Sequence, residues 1–296
     1  MTRRKWLAAA TAATASAQQD PVIRVDVRLV RLLVTVKNEA GELVGSLDRN
    51  DFTLRDSGVE QELAIFERHT ELPLSVALLV DTSGSTAKDL KYEIEASTRF
   101  LQALVKEGNP KDALALYSFN HDVTLQMGFT RNAGRVRKTL QQLRAEAGTS
   151  IYDALTFAAD LLENRQGRRV IVVVTDGGDT TSVRTYHEAL REVHSSDVVI
   201  YPIVVVPIEN DAGRNLGGEH ALITLSRSTG GRAFFPTIGP ELDAAFTGIL
   251  RDLRTQYLLC YYPKNLPALK EKFRRVRVEL KQAGLQPSTR DGYYEE

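Results

Sequence analysis

The chain has 296 residues and is electrically balanced, with 38 basic and 38 acidic residues and a formal charge of zero. This length is enough for one large α/β domain and a smaller second domain. No long basic block occurs, so the sequence gives no support to nucleic acid as a partner. Cys260 is the one cysteine, which excludes a disulfide framework within the chain and predicts a thiol buried in a strand.

Residues 1–17 have the order of a secretory signal peptide. The basic run Arg3-Arg4-Lys5 precedes an apolar stretch, and Ala15-Ser16-Ala17 supplies a small-residue cleavage site. Export by the general or the twin-arginine route would leave a mature chain that starts near Gln18. No later apolar run reaches the length of about 18 residues that crosses a bilayer, so we expect no transmembrane segment in the mature chain. The sequence predicts an exported protein of the periplasm or the cell surface; an amphipathic N-terminus is the alternative.

Two terminal segments, residues 18–70 and 257–296, have the alternating apolar pattern of β-strands. The alternation changes phase between Leu29 and Val30, which predicts a bulge or a strand that crosses between two faces. Neither segment has enough strands to bury two faces alone. We therefore predict that both ends form one small all-β, sandwich-like domain into which the central region is inserted. Two separate flaps on the central region are the alternative.

Residues 73–256 change to alternating strands and helices. The strands are almost wholly apolar, which is typical of a doubly wound, mostly parallel α/β sheet covered by helices on both faces. The turn Asn120-His121-Asp122 leads into a strand over Val123–Met127, which we expect to be antiparallel at one edge. Ligands of such sheets bind at the carboxyl ends of the strands, where the strand order reverses. The other predicted strands are Leu74–Val80, Ala113–Phe119, Val170–Thr175, Val198–Val206 and Arg232–Phe235.

Side chains with oxygen ligands follow two of these strands and precede one helix. Asp81, Ser83 and Ser85 follow the first strand, Thr149 precedes a predicted helix, and Asp176 follows the fourth strand. The first and fourth strands are neighbours in the predicted order, so their two carboxylates should lie side by side. Oxygen ligands without His or Cys suit Mg²⁺ and are poor ligands for zinc. The pattern predicts a Mg²⁺ site formed by these five residues, with Mn²⁺ or Ca²⁺ as alternatives.

Three motifs carry a resemblance to a known family. In order, DTSGST at 81–86, GTSIYDAL at 148–155 and VVVTDGGD at 172–179 resemble the metal-ion-dependent adhesion site of von Willebrand factor type A (VWFA) domains. The resemblance implies that the carboxylates act partly through water, which leaves the ion electrophilic on its exposed side. It also implies that an Asp or Glu carboxylate of a partner protein is the last ligand.

Four further polar residues near these motifs are not expected to bind metal. Asp153 lies in the first turn of its helix, where a carboxylate caps free N–H groups or tethers a loop. Asp179 is expected to order the loop in which it lies. His121 and His187 have no companion at metal-ligand spacing, so we expect them at solvated loop and helix positions.

The resemblance extends beyond the central region to exported bacterial proteins, of an acidobacterial type, that are related to VWFA domains. Asp51-Phe52 and Asp56-Ser57-Gly58 carry it near the start, and Tyr257–Pro263 and Gly292-Tyr293-Tyr294 carry it near the end. It implies a fold for nearly the whole mature chain. It does not identify a partner, because one fold serves many functions.

These features predict a non-enzymatic protein-interaction or adhesion module outside the cytoplasm. One alternative is a VWFA scaffold with a purely structural metal, whose partner adds a strand to the terminal β domain. A Mg²⁺-dependent hydrolase is the other alternative. It is disfavoured because Ser83 stands two residues after Asp81, where such a phosphatase has a second Asp. Nucleophile-elbow and phosphate-loop motifs do not occur in the sequence.

Overall fold

The structure is a computed structural model that describes residues 29–86, 90–206, 215–237, 239–270 and 272–295. The predicted signal peptide, residues 1–17, lies outside the described residues, as do residues 18–28 of the predicted N-terminal β segment. The strands are β1 (Val30–Lys37), β2 (Phe52–Asp56), β3 (Val59–Gln61), β4 (Leu63–Glu67), β5 (Leu74–Asp81), β6 (Ala113–Phe119), β7 (Val123–Thr130), β8 (Arg168–Thr175), β9 (Val198–Val204), β10 (Tyr257–Tyr261), β11 (Phe273–Leu280), β12 (Gln286–Ser288) and β13 (Gly292–Tyr294). The helices are α1 (Leu90–Glu107), α2 (Ala133–Leu140), α3 (Ile151–Glu163), α4 (Tyr186–Ser195), α5 (Leu216–Ser228) and α6 (Pro240–Arg254).

The central sheet has five strands in the order β7-β6-β5-β8-β9. Neighbouring strands are parallel except for β6 and β7, which are antiparallel. The predicted doubly wound sheet with one antiparallel edge strand is confirmed. The strand order reverses at β5, and β5 and β8 are neighbours, so the ends of these two strands meet at one edge of the sheet.

Helices cover both faces of this sheet because successive side chains of a buried strand point to opposite faces. On β5, Leu78 and Val80 belong to a core formed with α1, α2 and α6. Ala77 and Leu79 belong to a second core formed with α3, α4 and α5. All eight residues of β5 are buried. Strand β5 is therefore held rigidly in the core, and it fixes the position of the residues that follow Val80.

The two terminal segments pair in one β sandwich, as predicted. Strand β1 runs antiparallel to β10, with Val30 opposite Tyr261, and one sheet has the order β12-β1-β10-β4. The second sheet has the order β13-β11-β2-β3. Inward-facing residues of both sheets form a third core that includes Leu32, Leu54 and Val278. The alternative of two separate flaps is excluded by this shared core.

The predicted strand Arg232–Phe235 is wrong. The segment makes an isolated parallel bridge, Ile203 with Phe234, beside β9. The bridge consists of Phe234 N–H donating to the Pro202 carbonyl and Val204 N–H donating to the Phe234 carbonyl, each at 2.8 Å. The ladder is short because Pro202 and Pro236 have no N–H group to donate. Strand β9 accordingly ends at Val204 and not at Val206.

His194, near the end of α4, is a buried titratable group at the junction of the two units. It is 5% exposed, and its ring packs edge-on against Phe273 of β11. Burial, reinforced by the positive charge of Arg290, lowers the pKa of His194 to about 4, although Asp197 and a hydrogen bond with the Gly292 backbone act in the opposite direction. The side chain is therefore neutral in the folded protein at neutral pH.

Acidification should destabilise the fold through this histidine. In the unfolded chain a histidine takes up a proton near pH 6.5, whereas His194 in the folded protein does so only near pH 4. The free energy of unfolding should thus fall between these values, by up to about 3 kcal/mol from this group. Urea unfolding at pH 7 and pH 4.5 measures how much unfolding free energy is lost on acidification, and His194→Gln should lose less than wild type. His187→Gln, exposed on the same helix, is the control and should lose as much as wild type.

Candidate metal centre

The carboxyl ends of β5 and β8 place two predicted ligands next to each other. The parallel register pairs Val80 with Val174, so Asp81 lies beside Thr175, the residue that precedes Asp176. The Thr175 hydroxyl donates a hydrogen bond to Asp81 Oδ2 at 2.5 Å. Asp81 is fully buried, whereas Asp176 is half-buried at the start of the following loop.

The Asp81 carboxyl is hydrogen-bonded at both oxygens but still poorly solvated. Its Oδ1 accepts the Ser83 backbone N–H at 2.8 Å. Burial raises the pKa of Asp81 to about 6, although the hydrogen bonds from Thr175 and Ser83 act to lower it. The nearby negative charge of Asp176 acts in the same direction as burial. Among the described residues, no positive charge compensates the ionised carboxylate, and a bound dication would supply one.

The turn after β5 presents two hydroxyl groups on the same side. Ser83 Oγ and Ser85 Oγ lie 3.0 Å apart. Thr86 holds the turn closed, because its hydroxyl donates to the carbonyls of Asp81 at 3.1 Å and Ser83 at 2.9 Å. Ser83 is buried and Ser85 is exposed. The turn thus leads from the buried carboxyl out to the solvent.

The segment that carries Thr149 is bound to this turn and to the end of β6. Glu146 forms a parallel bridge with Ser83, and its N–H donates to the Thr82 carbonyl at 2.9 Å. The Ser150 N–H donates to the Asn120 carbonyl at 2.8 Å. The structure therefore brings Thr149 to the same end of the sheet as the first turn.

Thr149 is fixed by the loop that follows Asp176. Its N–H lies 2.9 Å from Thr180 Oγ1 and 3.1 Å from Thr181 Oγ1. Its carbonyl accepts N–H groups from the same two residues, at 2.8 and 3.2 Å. Sequence reasoning missed Thr175, Thr180 and Thr181. Thr175 could have been identified from its position directly before Asp176.

Asp153 and Asp179 tether the same loop, as predicted. The two oxygens of Asp153 accept the backbone N–H groups of Val183 and Arg184, each at 2.9 Å. Asp179 Oδ1 accepts the Tyr152 N–H at 3.2 Å and the Ser182 hydroxyl at 2.5 Å. These contacts join the start of α3 to the loop after β8.

Loss of the Asp153 carboxylate should loosen this loop without unfolding the protein. Asp153→Ala removes both acceptors, so the amides of Val183 and Arg184 should exchange with deuterium at least about tenfold faster, which corresponds to about 1.4 kcal/mol of local stability. Hydrogen exchange followed by mass spectrometry measures this. Asp160→Ala, exposed on the same helix, is the control. Equal protection in the two variants would contradict the tether.

The donor set fits a hard cation. It consists of the carboxylates of Asp81 and Asp176 and the hydroxyls of Ser83, Ser85 and Thr149, which are oxygen ligands of the kind that Mg²⁺ prefers. In the described part of the chain, no group of three or more His, Cys, Asp and Glu side chains is placed to hold a metal. His121 and His187 are exposed loop and helix residues, as expected. Two carboxylates and several hydroxyls suit Mg²⁺ better than zinc.

The sheet, its helices and the loops at its carboxyl edge define the class of the central unit: it is a von Willebrand factor type A domain. Residues 76–178 match the family model described as von Willebrand factor type A domain. This match confirms the predicted relation to VWFA domains. Among the described residues, no helix is both long and apolar enough to cross a membrane.

Two curated relatives share sequence with this chain. It is 28% identical over 143 residues to inter-alpha-trypsin inhibitor heavy chain H4 of Homo sapiens, which covers 43% of this chain and 15% of that protein. It is 28% identical over 123 residues to the same heavy chain of Bos taurus, which covers 37% of this chain and 13% of that protein. The chain thus matches only a small part of the length of either relative.

One solved structure shares the fold, and a second is similar to this chain. The vWF domain of the type V pili tip protein Mfa5 from Porphyromonas gingivalis is 14% identical, with a TM-score of 0.50 over 62% of this chain and 95% of that chain. The conserved hypothetical protein BatB from Bacteroides thetaiotaomicron is 18% identical, with a TM-score of 0.48 over 61% of this chain and 97% of that chain. At 14% identity, the likeness to the Mfa5 domain is one of fold.

Proposed function

We propose that the chain is an exported, non-enzymatic protein-interaction module that binds a partner carboxylate through a divalent cation. The cation is Mg²⁺, with Mn²⁺ or Ca²⁺ as alternatives, held by Asp81, Ser83, Ser85, Thr149 and Asp176. The observation that carries the proposal is the buried Asp81 carboxyl, whose pKa is raised by burial and by the charge of Asp176. A dication bound there stabilises both carboxylates.

The ligand types favour an incoming anion. Hydroxyl ligands fill coordination positions without cancelling the charge of the ion, and the two carboxylates are the only anionic ligands proposed. Asp153 and Asp179 are engaged with backbone N–H groups and add no further ligand. Ser85 is exposed, so the site opens to solvent on that side. A partner Asp or Glu completes the shell, in agreement with the resemblance to metal-ion-dependent adhesion sites.

The loop over residues 179–185 supplies a preformed rim for the partner. Its backbone is held by Asp153 and by Thr149, and Val183 at its tip is 90% exposed. A rigid loop lowers the entropy cost of association. The proposed partner therefore presents its carboxylate next to an apolar surface that contacts Val183. Export is proposed from residues 1–17, and VWFA domains as a class serve in protein interactions.

A phosphoryl-transfer enzyme is disfavoured by the state of Asp81. Both oxygens of this carboxyl accept hydrogen bonds, and the side chain is fully buried. A nucleophilic carboxylate needs an oxygen that reaches the substrate. Ser83 stands where a phosphatase of this kind has a second Asp. Its hydroxyl contacts Ser85 and supplies no general acid.

A second candidate keeps the metal structural and places the partner on the β sandwich. Strand β4 is an edge strand of its sheet, and Ile65 on it is 39% exposed. Such an edge can accept an added strand. This mode does not depend on a partner carboxylate or on a metal.

Paired peptides distinguish the two candidates. A bead-displayed pool of Asp- and Glu-containing peptides, each matched by its Asn or Gln counterpart, is incubated with the chain from residue 18 in Mg²⁺ or in EDTA. The proposal predicts binding only of the acidic members, only in Mg²⁺, and lost in Thr149→Val. Thr224→Val, on an exposed hydroxyl of α5, is the matched control. Equal capture in EDTA or of the amide members would contradict the proposal and favour strand addition.

A further inference from the structure

A cavity of about 380 Å³ lies between the central domain and the β sandwich. From the central domain it is lined by Arg169 at the start of β8 and by the turn at Asp197 before β9. From the sandwich it is lined by Arg31 of β1 and by Arg290 and Tyr294 near the C-terminus. These strand starts are at the amino edge of the sheet, opposite the candidate metal centre. The size and the position between two domains are typical of small-molecule sites.

The described residues that line the cavity carry an excess of positive charge. Among them are three guanidinium groups, from Arg31, Arg169 and Arg290, and one carboxylate, from Asp197. Arg290 is 13% exposed and pairs with Asp197 Oδ1 at 2.8 Å, while the Arg31 guanidinium is 3.5 Å from Asp197 Oδ2. The Asp197 carboxylate thus pairs with two arginines, and its contact with Arg31 is the longer one.

Arg290 retains a donor that the described part of the chain does not satisfy. Its Nη2 donates to the Arg31 carbonyl at 2.8 Å. Its Nε is buried and has no hydrogen-bond partner among the described residues. A buried unpaired donor on a cation is costly. The low pKa of the neighbouring His194 has burial as its main cause and the charge of Arg290 as its second.

The cavity walls are fixed by contacts between the two domains. The Asp291 N–H donates to the Ser228 carbonyl at 2.8 Å, and Ser288 donates to the Gly230 carbonyl at 3.3 Å. Gly230 packs so closely on Thr289 that an added Cβ would lie 2.8 Å from its carbonyl carbon. The cavity is therefore preformed. Val30 and the ring of Tyr294 provide an apolar part of its lining.

We infer that this cavity is a second, metal-independent binding site for a small organic anion. A carboxylate or phosphate group binds the guanidinium groups of Arg31, Arg169 and Arg290, and an apolar or aromatic body lies against Val30 and Tyr294. Guanidinium groups pair with both kinds of anion in a bidentate geometry. The inference does not depend on the proposed adhesion function.

Calorimetric titration in EDTA tests the site on the chain from residue 18, so that the residues before Leu29 are present. The probes are benzoate, phenyl phosphate and neutral benzamide, which share one ring and differ in the polar group. We expect saturable binding of at least one anion and none of benzamide. The tighter anion identifies the ligand as a carboxylic acid or a phosphate ester.

Two variants should shift the affinity in opposite directions. Arg31→Gln should weaken binding by about tenfold or more, whereas Arg277→Gln, on a side chain that is 78% exposed outside the cavity, should not. Asp197→Asn should tighten binding severalfold, because it removes the competing carboxylate. Asp197 has a φ of 54°, a conformation that Asn readily adopts, so this variant should keep its fold. Absent binding, equal binding of benzamide, or unchanged affinity in both cavity variants would overturn the inference.

Discussion

In chelator-treated protein, Asp81→Asn should raise the free energy of unfolding at pH 8 and should abolish any stabilisation by Mg²⁺. Asparagine keeps an acceptor for the Ser83 N–H but removes a buried charge. Because the pKa of Asp81 is raised to about 6, its contribution in the metal-free protein is lost as pH rises through that value. The gain on substitution should therefore be up to about 3 kcal/mol at pH 8 and close to zero near pH 4.

Urea unfolding in EDTA and in Mg²⁺, at pH 4 and pH 8, measures both effects. Wild type should gain stability from Mg²⁺ because the ion binds only the folded state. Asp160→Asn, exposed on α3, is the control and should keep the Mg²⁺ response. An Asp81→Asn variant that is less stable in EDTA and still responds to Mg²⁺ would show that Asp81 is not a ligand.

Asp56→Ala should destabilise the β sandwich by about 3–5 kcal/mol. Asp56 is fully buried, and its Oδ2 accepts the hydroxyls of Tyr261 and Tyr293, each at 2.8 Å. Its Oδ1 accepts the Ser57 hydroxyl at 3.0 Å. One carboxylate thus joins strands from both sheets. Its removal leaves two phenol groups without an acceptor, and desolvation then opposes folding.

Thermal and urea unfolding measure this loss. Asp56→Asn retains one acceptor and should lose less stability than Asp56→Ala. Glu60→Ala, on the neighbouring strand with a side chain that is 65% exposed, should change stability by less than about 1 kcal/mol. A loss below that size in Asp56→Ala would mean that the two tyrosines find other acceptors.

Much of the fold follows from local patterns in the sequence. The apolar runs of the central strands indicate a buried parallel sheet, and the tight turn before Val123 indicates the antiparallel edge strand. The pairing of the termini follows from the inability of either end to bury two faces. Strands β3, β12 and β13, with three residues each, could not be predicted, because a run this short shows no periodicity. They form only because distant strands provide their partners.

The site was predictable to a similar degree. Asp81 and Asp176 follow strands that the topology makes neighbours, so their approach could be inferred from the sequence. The support of Thr149 by Thr180 and Thr181 could not, because it depends on the path of a loop 31 residues further along the chain. The Arg232–Phe235 segment does not form a strand because Pro202, on the neighbouring strand, has no N–H group to donate to it. The cause lies in the partner strand, so the segment's own sequence does not reveal it.

Calorimetry tests directly whether three separate segments form one cation site. Mg²⁺ is titrated by calorimetry into the chelator-stripped chain from residue 18 and into one variant of each segment: Ser85→Ala, Thr149→Val and Asp176→Asn. We expect one saturable site in wild type that is weakened or lost in all three variants and retained in Thr224→Val. Absence of saturable Mg²⁺ binding in wild type, or binding that is unchanged in the three variants, would contradict it.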